Sequence, residues 1–328
     1  MNMEFRAPTA LAALAKFEDP NWTANGERRA EVALDRLETL WINTGTLCNI
    51  ECVNCYIESS PTNDRLVYIS AAECAALLDE IAVLGLGTTE IAFTGGEPFM
   101  NPDIIEMLRD ALSRGFKVLV LTNAMQPMQR PRIQRDLIAL NAQFGDSLTL
   151  RVSLDHYTKT LHESERGAKT WDRALAGLDW LAQQQFSLAI AGRTCWDEGE
   201  EESRAGYAGL INEHGWPIDW SNTTQLMLLP EMDGSHDVPE ITTACWDILS
   251  KRPSDMMCAT SRMVVKRKGD GKPSIVPCTL LPYDEAFTMG NTLQDSLTST
   301  GGMFAEGAVK LCHPHCAKFC VLGGGSCS

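Results

Sequence analysis

The sequence predicts an α/β fold built on a parallel sheet, with a small cysteine-rich region after it. Six strand-like runs alternate with helical patterns between residues 39 and 252, and this succession requires a parallel sheet with helices outside it, either doubly wound or curled as a partial barrel. After residue 253 the alternation stops and a glycine- and cysteine-rich tail begins. The 12 cysteines are unevenly placed: three lie within Cys48–Cys55, six between Cys258 and Cys327, and Cys74, Cys195 and Cys245 between the groups. This points to two metal-bearing regions joined by an ordinary α/β body.

In chain order, an amphipathic stretch at Glu27–Leu37 predicts a helix within an N-terminal extension, residues 1–38. The first strand is expected near Leu40–Thr44. Cys74, Leu77, Leu78 and Ile81 follow helical spacing and predict a helix over Ile69–Leu84. Strand Glu90–Thr94, helix Asn101–Arg114 closed by Gly115, strand Lys117–Thr122 and helix Arg132–Phe144 follow. Then come strand Leu148–Leu154, helix Thr170–Gln185, strand Ser187–Ala191 and helix Glu200–His214, whose acidic first turn suits the helix dipole. Strand Gln225–Leu229 is stopped by Pro230, and Pro239–Ser250 reads as helix. Met263–Val265 and Ser274–Val276 flank Asp270-Gly271 as a hairpin. The expected units are therefore 1–38, 39–252 and 253–328. Cys74 and Cys245 fall on apolar helix faces and are expected in the core; Cys195 follows the fifth strand, where a structural role is favoured over one facing the cavity.

Composition narrows the class. Acidic residues outnumber basic ones 43 to 28, for a net charge of −15, which argues against nucleic acid as a partner. No apolar run approaches a membrane span, and no signal peptide is evident, so a cytoplasmic protein is expected. In that setting the cysteines read as metal ligands rather than disulfides.

Cys48, Cys52 and Cys55 stand at C-x3-C-x2-C spacing directly after the first strand. Three thiolates on one tight loop suit a cubane iron–sulfur cluster and leave its fourth iron open to a small molecule. A structural zinc site would need a fourth local ligand, and the sequence offers none. Other unusual groups fall at later strand ends, where parallel β/α folds collect their chemistry. These are Gly95-Gly96-Glu97-Pro98, Thr122-Asn123, Ser153 and Asp155, Arg166-Gly167, and Arg193-Thr194. Together they offer an acceptor for an amine, a guanidinium for a carboxylate, and hydroxyl and carboxylate groups for a ribose. A ligand joining an amino acid to a nucleoside would use them all.

Cys48-x3-Cys52-x2-Cys55, followed by Gly95-Gly96-Glu97-Pro98, Ser153-Leu154-Asp155 and Arg166-Gly167, resembles the radical S-adenosylmethionine (SAM) superfamily over residues 39–230. The resemblance implies a partial (β/α)6 TIM-like barrel and a [4Fe–4S] cluster on the three cysteines. SAM would chelate the open iron, and its reductive cleavage would yield a 5′-deoxyadenosyl radical that abstracts a substrate hydrogen. By position, Gly95, Gly96 and Glu97 would hold the SAM amine and Arg166 its carboxylate. Ser153 and Asp155 would serve the carboxylate or ribose side, and Thr122 and Asn123 belong to the same cofactor site. Two positions depart from the family pattern. Asn54 replaces the aromatic residue usual before the third cysteine, and Ala124 replaces the glycine usual after Thr-Asn.

Cys258, Cys278, Cys312, Cys316, Cys320 and Cys327 resemble the SPASM or shorter twitch extensions, which carry auxiliary [4Fe–4S] clusters, although the final spacing does not match full SPASM. Six thiols allow one cluster with two spare cysteines, or two clusters with a non-cysteine ligand or an open iron. They also allow zinc. His313 and His315 are conceivable ligands but read as bystanders. The implied activity is oxidation or crosslinking of a peptide, or dehydrogenation of a small molecule, with flavodoxin or ferredoxin as electron donor. The 47 residues before Cys48 are too few for a peptide-binding winged helix of about 80 residues, which argues against the peptide branch unless a separate leader-binding protein supplies that function. The alternatives are a non-catalytic iron–sulfur electron carrier, which leaves Gly95–Glu97 and Arg166 unexplained, and an RNA-modifying enzyme.

Overall fold

The computed structural model describes residues 15–230 and 237–324. In chain order its strands are β1 (Glu31–Val32), β2 (Thr39–Asn43), β3 (Glu90–Thr94), β4 (Lys117–Thr122), β5 (Leu148–Ser153), β6 (Ser187–Thr194), β7 (Leu226–Pro230), β8 (Ser261–Val265), β9 (Ser274–Val276), β10 (Phe304–Ala305) and β11 (Ala308–Lys310). The helices are α1 (Ala71–Leu84), α2 (Ile104–Ser113), α3 (Pro131–Phe144), α4 (Lys159–Arg166), α5 (Thr170–Gln183), α6 (Glu200–His214), α7 (Cys245–Ile248) and α8 (Leu293–Thr298). Among the described residues, eight strands form one sheet in the order β7-β6-β5-β4-β3-β2-β8-β9. The ladders from β7 to β8 are parallel, and β9 closes the edge antiparallel to β8. Six β/α strands in a row is the arrangement the alternation predicted.

Most elements sit where their signals put them. Ser70 caps α1 in a reciprocal capping box with Glu73, and Gly85 ends it in the left-handed conformation. Cys74 is buried on the core face of that helix, as its spacing required. The central strands are buried on both faces, as parallel strands covered by helices must be.

Three expectations are corrected. Residues 27–37 are not helical. Arg29 is instead drawn into the interior, where it pairs with Glu240 and donates to the carbonyls of Asp19, Trp22 and Leu311, while Glu31–Val32 pairs with β11. The same segment breaks the helix expected over Pro239–Ser250. The Ala30 amide donates to the Ile241 carbonyl (2.9 Å) and Arg29 bridges Thr242, so only Cys245–Ile248 is helical. Ile248 is consequently 76% exposed and Cys245 only half-buried, not core. Finally, Arg166, expected with the strand-end groups in the loop after the fourth strand, lies at the last turn of α4, with Gly167 (φ +91°) ending the helix.

β8 hydrogen-bonds along β2, with Thr39 opposite Ser261 and Ile42 opposite Val264. The sheet thus runs unbroken across residue 253. Among the described residues no helix is long and apolar enough to cross a membrane.

Candidate functional site

The loop carrying the cysteine triplet leaves the C-terminal end of β2 and is tied down at once. The Thr44 amide donates to the Thr94 carbonyl (2.8 Å), and the Cys48 amide to that of Ser60 (3.0 Å). The next turn, after β3, packs directly on it. A Cβ on Gly96 would lie 2.3 Å from the Leu47 carbonyl oxygen, and one on Gly95 (φ +144°) 2.6 Å from that of Gly45. The two glycines are thus required by contact between the loops, a reason the sequence did not disclose.

Glu97 follows, buried at 1% exposure. Its carboxylate accepts from the Thr122 hydroxyl (2.9 Å), the Asn123 amide (2.9 Å) and the Phe99 amide (3.2 Å). Burial pushes it up to about 7 against these donors. The side chain therefore clamps the ends of β3 and β4 together and does not line the cavity. Asn123 extends the clamp, donating to Asn49 Oδ1 (2.9 Å) and lying 3.8 Å from Cys48 Sγ.

These strand ends enclose one common cavity. Cys48, Cys52 and Cys55 form one wall. Gly95, Gly96, Thr122, Asn123, Ser153, Asp155 and Arg166 complete it, so every expected SAM-site residue except Glu97 reaches the same space. Asp155 and Arg166 form a two-point ion pair at 2.8 and 2.9 Å. Burial pushes the Cys48 thiol up to about 12 and raises Cys52 as well. Thiols so held ionise readily only beside a metal, which is the donor chemistry an iron cluster needs.

Asn54 also faces the cavity, but its side-chain amide is engaged. It donates to both carboxylate oxygens of Glu165 (2.8 and 3.1 Å). Arg193 reaches Glu165 and the Asn54 carbonyl, each at 3.3 Å, and the Val53 amide donates to the Glu165 carbonyl (2.8 Å). Glu165 was not anticipated; its only sequence signal was its place beside Arg166.

A second, smaller cavity lies in the tail. Cys258, Cys278, Cys316 and Cys320 ring it, with His315 at its edge. Cys312 turns away, its thiol donating to the carbonyls of Phe17 (3.0 Å) and Asp19 (3.4 Å). Cys327 lies outside the described residues. His313 packs against Phe287 and His315 and is not among the residues lining the cavity. Among the described residues no three cysteine, histidine, aspartate or glutamate side chains close on a single ion. The four thiols instead surround a space, as ligands of a cluster do.

The sequence matches the Radical SAM superfamily over residues 42–194. It is 32% identical over 270 residues to the antilisterial bacteriocin subtilosin biosynthesis protein AlbA of Bacillus subtilis, covering 77% of this chain and 56% of that protein. It is 29% identical over 144 residues to the AdoMet-dependent heme synthase of Methanosarcina barkeri, covering 44% and 38% of the two chains. The chain thus spans about half or less of the length of these relatives. In fold it resembles Streptococcus suis SuiB bound to S-adenosylmethionine, with a TM-score of 0.57 at 14% identity, over 78% of this chain and 63% of that one. The superfamily uses a [4Fe–4S] cluster and SAM, and the cysteine-rich tail fits an auxiliary-cluster region. With its three thiols, paired glycines and Asp155–Arg166 pair gathered at one end of a parallel sheet, the matched part of the chain, residues 42–194, is a radical SAM domain.

Proposed function

We propose that this protein is a radical SAM enzyme acting on a peptide, with one auxiliary [4Fe–4S] cluster. The observation that carries the reading is the shared cavity: Cys48, Cys52 and Cys55 line the same space as the ion pair of Asp155 and Arg166. The cluster and SAM, when bound, supply a 5′-deoxyadenosyl radical that takes a hydrogen atom from the substrate.

The chain's own residues bind and orient. Cys48, Cys52 and Cys55 hold three irons. The Gly95 and Gly96 backbone receives the amine, and Glu97 keeps that turn in place from behind. Arg166 uses Nε and Nη2 on Asp155, which leaves Nη1 for the SAM carboxylate. Ser153 serves the ribose side. Cys258, Cys278, Cys316 and Cys320 supply four thiolates, a complete ligand set, which suits electron uptake better than substrate binding. Residues 39–252 are the SAM-cleaving unit and 253–328 the auxiliary one.

A peptide substrate is favoured by the similarity to AlbA, a bacteriocin biosynthesis protein. Leader recognition would fall to a separate protein, and flavodoxin or ferredoxin would deliver electrons in the cytoplasm. The anaerobically reconstituted chain should convert SAM to 5′-deoxyadenosine with dithionite. It should bind about eight irons, and the Cys48→Ala/Cys52→Ala/Cys55→Ala variant about four, with no cleavage. An intact cluster that leaves SAM uncut would make the protein an electron carrier instead.

A further inference from the structure

Arg262 is a fully buried arginine without a carboxylate partner. It stands at 0% exposure on β8, four residues after Cys258. Its guanidinium donates to three carbonyls: Cys258 (2.7 Å) and Ser261 (2.8 Å) from Nη1, and Gly307 (3.1 Å) from Nη2. Nε has no partner. The other deeply buried arginines near the two sites are neutralised, Arg29 by Glu240 and Arg166 by Asp155. Among the described residues Arg262 makes no ion pair.

Carbonyl dipoles solvate a guanidinium but do not cancel its charge, and an unpaired buried charge is costly. Arginine stays charged at neutral pH, so it cannot escape by releasing its proton. The ionisable side chains that act on it are the thiols of Cys258 and Cys278. These belong to the tail cavity, whose remaining walls include Met256, Met257, Leu280, Leu281, Val309 and Leu311. In so apolar a setting charges act on each other strongly.

We propose that Arg262 is the built-in counter-charge of the auxiliary cluster and holds its reduction potential up. This rests on the auxiliary-cluster reading above. A cubane with four thiolates is anionic and gains one more negative charge on one-electron reduction. A fixed positive charge beside it stabilises the reduced form more than the oxidised one. Arg262 is thus a positioning residue for electrons: it makes the auxiliary site the better acceptor without touching substrate.

The test uses the full chain carrying Cys48→Ala, Cys52→Ala and Cys55→Ala, so that only the tail cluster remains. Arg262→Gln removes the charge and Arg262→Lys keeps it. Each protein is reconstituted, its iron counted, and its cluster titrated with dithionite under EPR observation. Arg262→Gln should lower the reduction equilibrium constant at least tenfold, about 59 mV for a one-electron couple, with Arg262→Lys close to the parent. Loss of iron from the glutamine variant alone, with the lysine variant at the parent potential, also supports the charge requirement. Equal potentials in all three proteins, or iron loss in both variants, would reduce Arg262 to a backbone clamp and overturn the proposal. A parent that binds no iron would instead overturn the auxiliary-cluster reading on which it stands.

Discussion

Two buried residues show how far single side chains decide behaviour here. His162 is at 0% exposure with neither ring nitrogen hydrogen-bonded, edge-on to Trp171 and close to Arg166. Burial lowers its pKa from 6.5 to about 4. The unfolded chain therefore takes up a proton that the folded protein refuses. The corresponding stability is complete above pH 6.5 and lost as pH falls through about 4, up to roughly 3 kcal/mol. Denaturant midpoints at pH 7 and pH 4 should show His162→Leu losing less stability on acidification than the parent. Glu97 was legible as important but not in its role. The motif placed it beside the glycines and suggested a ligand for the amine, whereas the fold turns its carboxylate onto Thr122 and Asn123. Which way a strand-end side chain turns depends on the loop packed behind it, and that loop is remote in sequence.

At the level of elements, α4 is the piece that sequence patterning could not find. Lys159–Arg166 is almost wholly polar, and the residues it buries are His162 and Glu165, so no apolar stripe marks it. Its last turn nevertheless grips the cluster loop through Glu165, which holds the Asn54 side chain and the Val53 amide. Asn54, where the family has an aromatic residue, is thereby fixed by hydrogen bonds rather than by stacking. Glu165→Ala should weaken SAM binding about tenfold or more, as loss of a ligand-orienting partner does. Equilibrium dialysis at unchanged iron content would measure it. Strands β3 and β4 matched their expected bounds because alternation and turn residues are local signals. The helix expected over Glu27–Leu37 failed because its amphipathic pattern was answered elsewhere, by Glu240 and by β11. The tail ligands were half legible: the sequence showed six thiols, but only the fold separates the four that ring a cavity from Cys312, which faces Phe17.

Across the whole molecule, β2 is flanked by β3 on one side and β8 on the other, so residues from the cysteine-rich region complete the sheet. A chain ending at residue 252 would expose a long apolar edge on β2, which invites pairing with other chains. Such a truncation should aggregate on expression, as judged by size-exclusion chromatography, while the full chain runs as a discrete species. The same ladder sets the direction of approach. Cys48 lies beyond the C-terminal end of β2, whereas Cys258 precedes β8 and Cys278 follows the antiparallel β9, which puts both at the other edge of these strands. Under the proposed function, a peptide over the cavity and an electron carrier at the tail would occupy separate doors, and turnover would proceed through a ternary complex. Steady-state lines at varied carrier concentration should therefore intersect with no competitive pattern against the peptide.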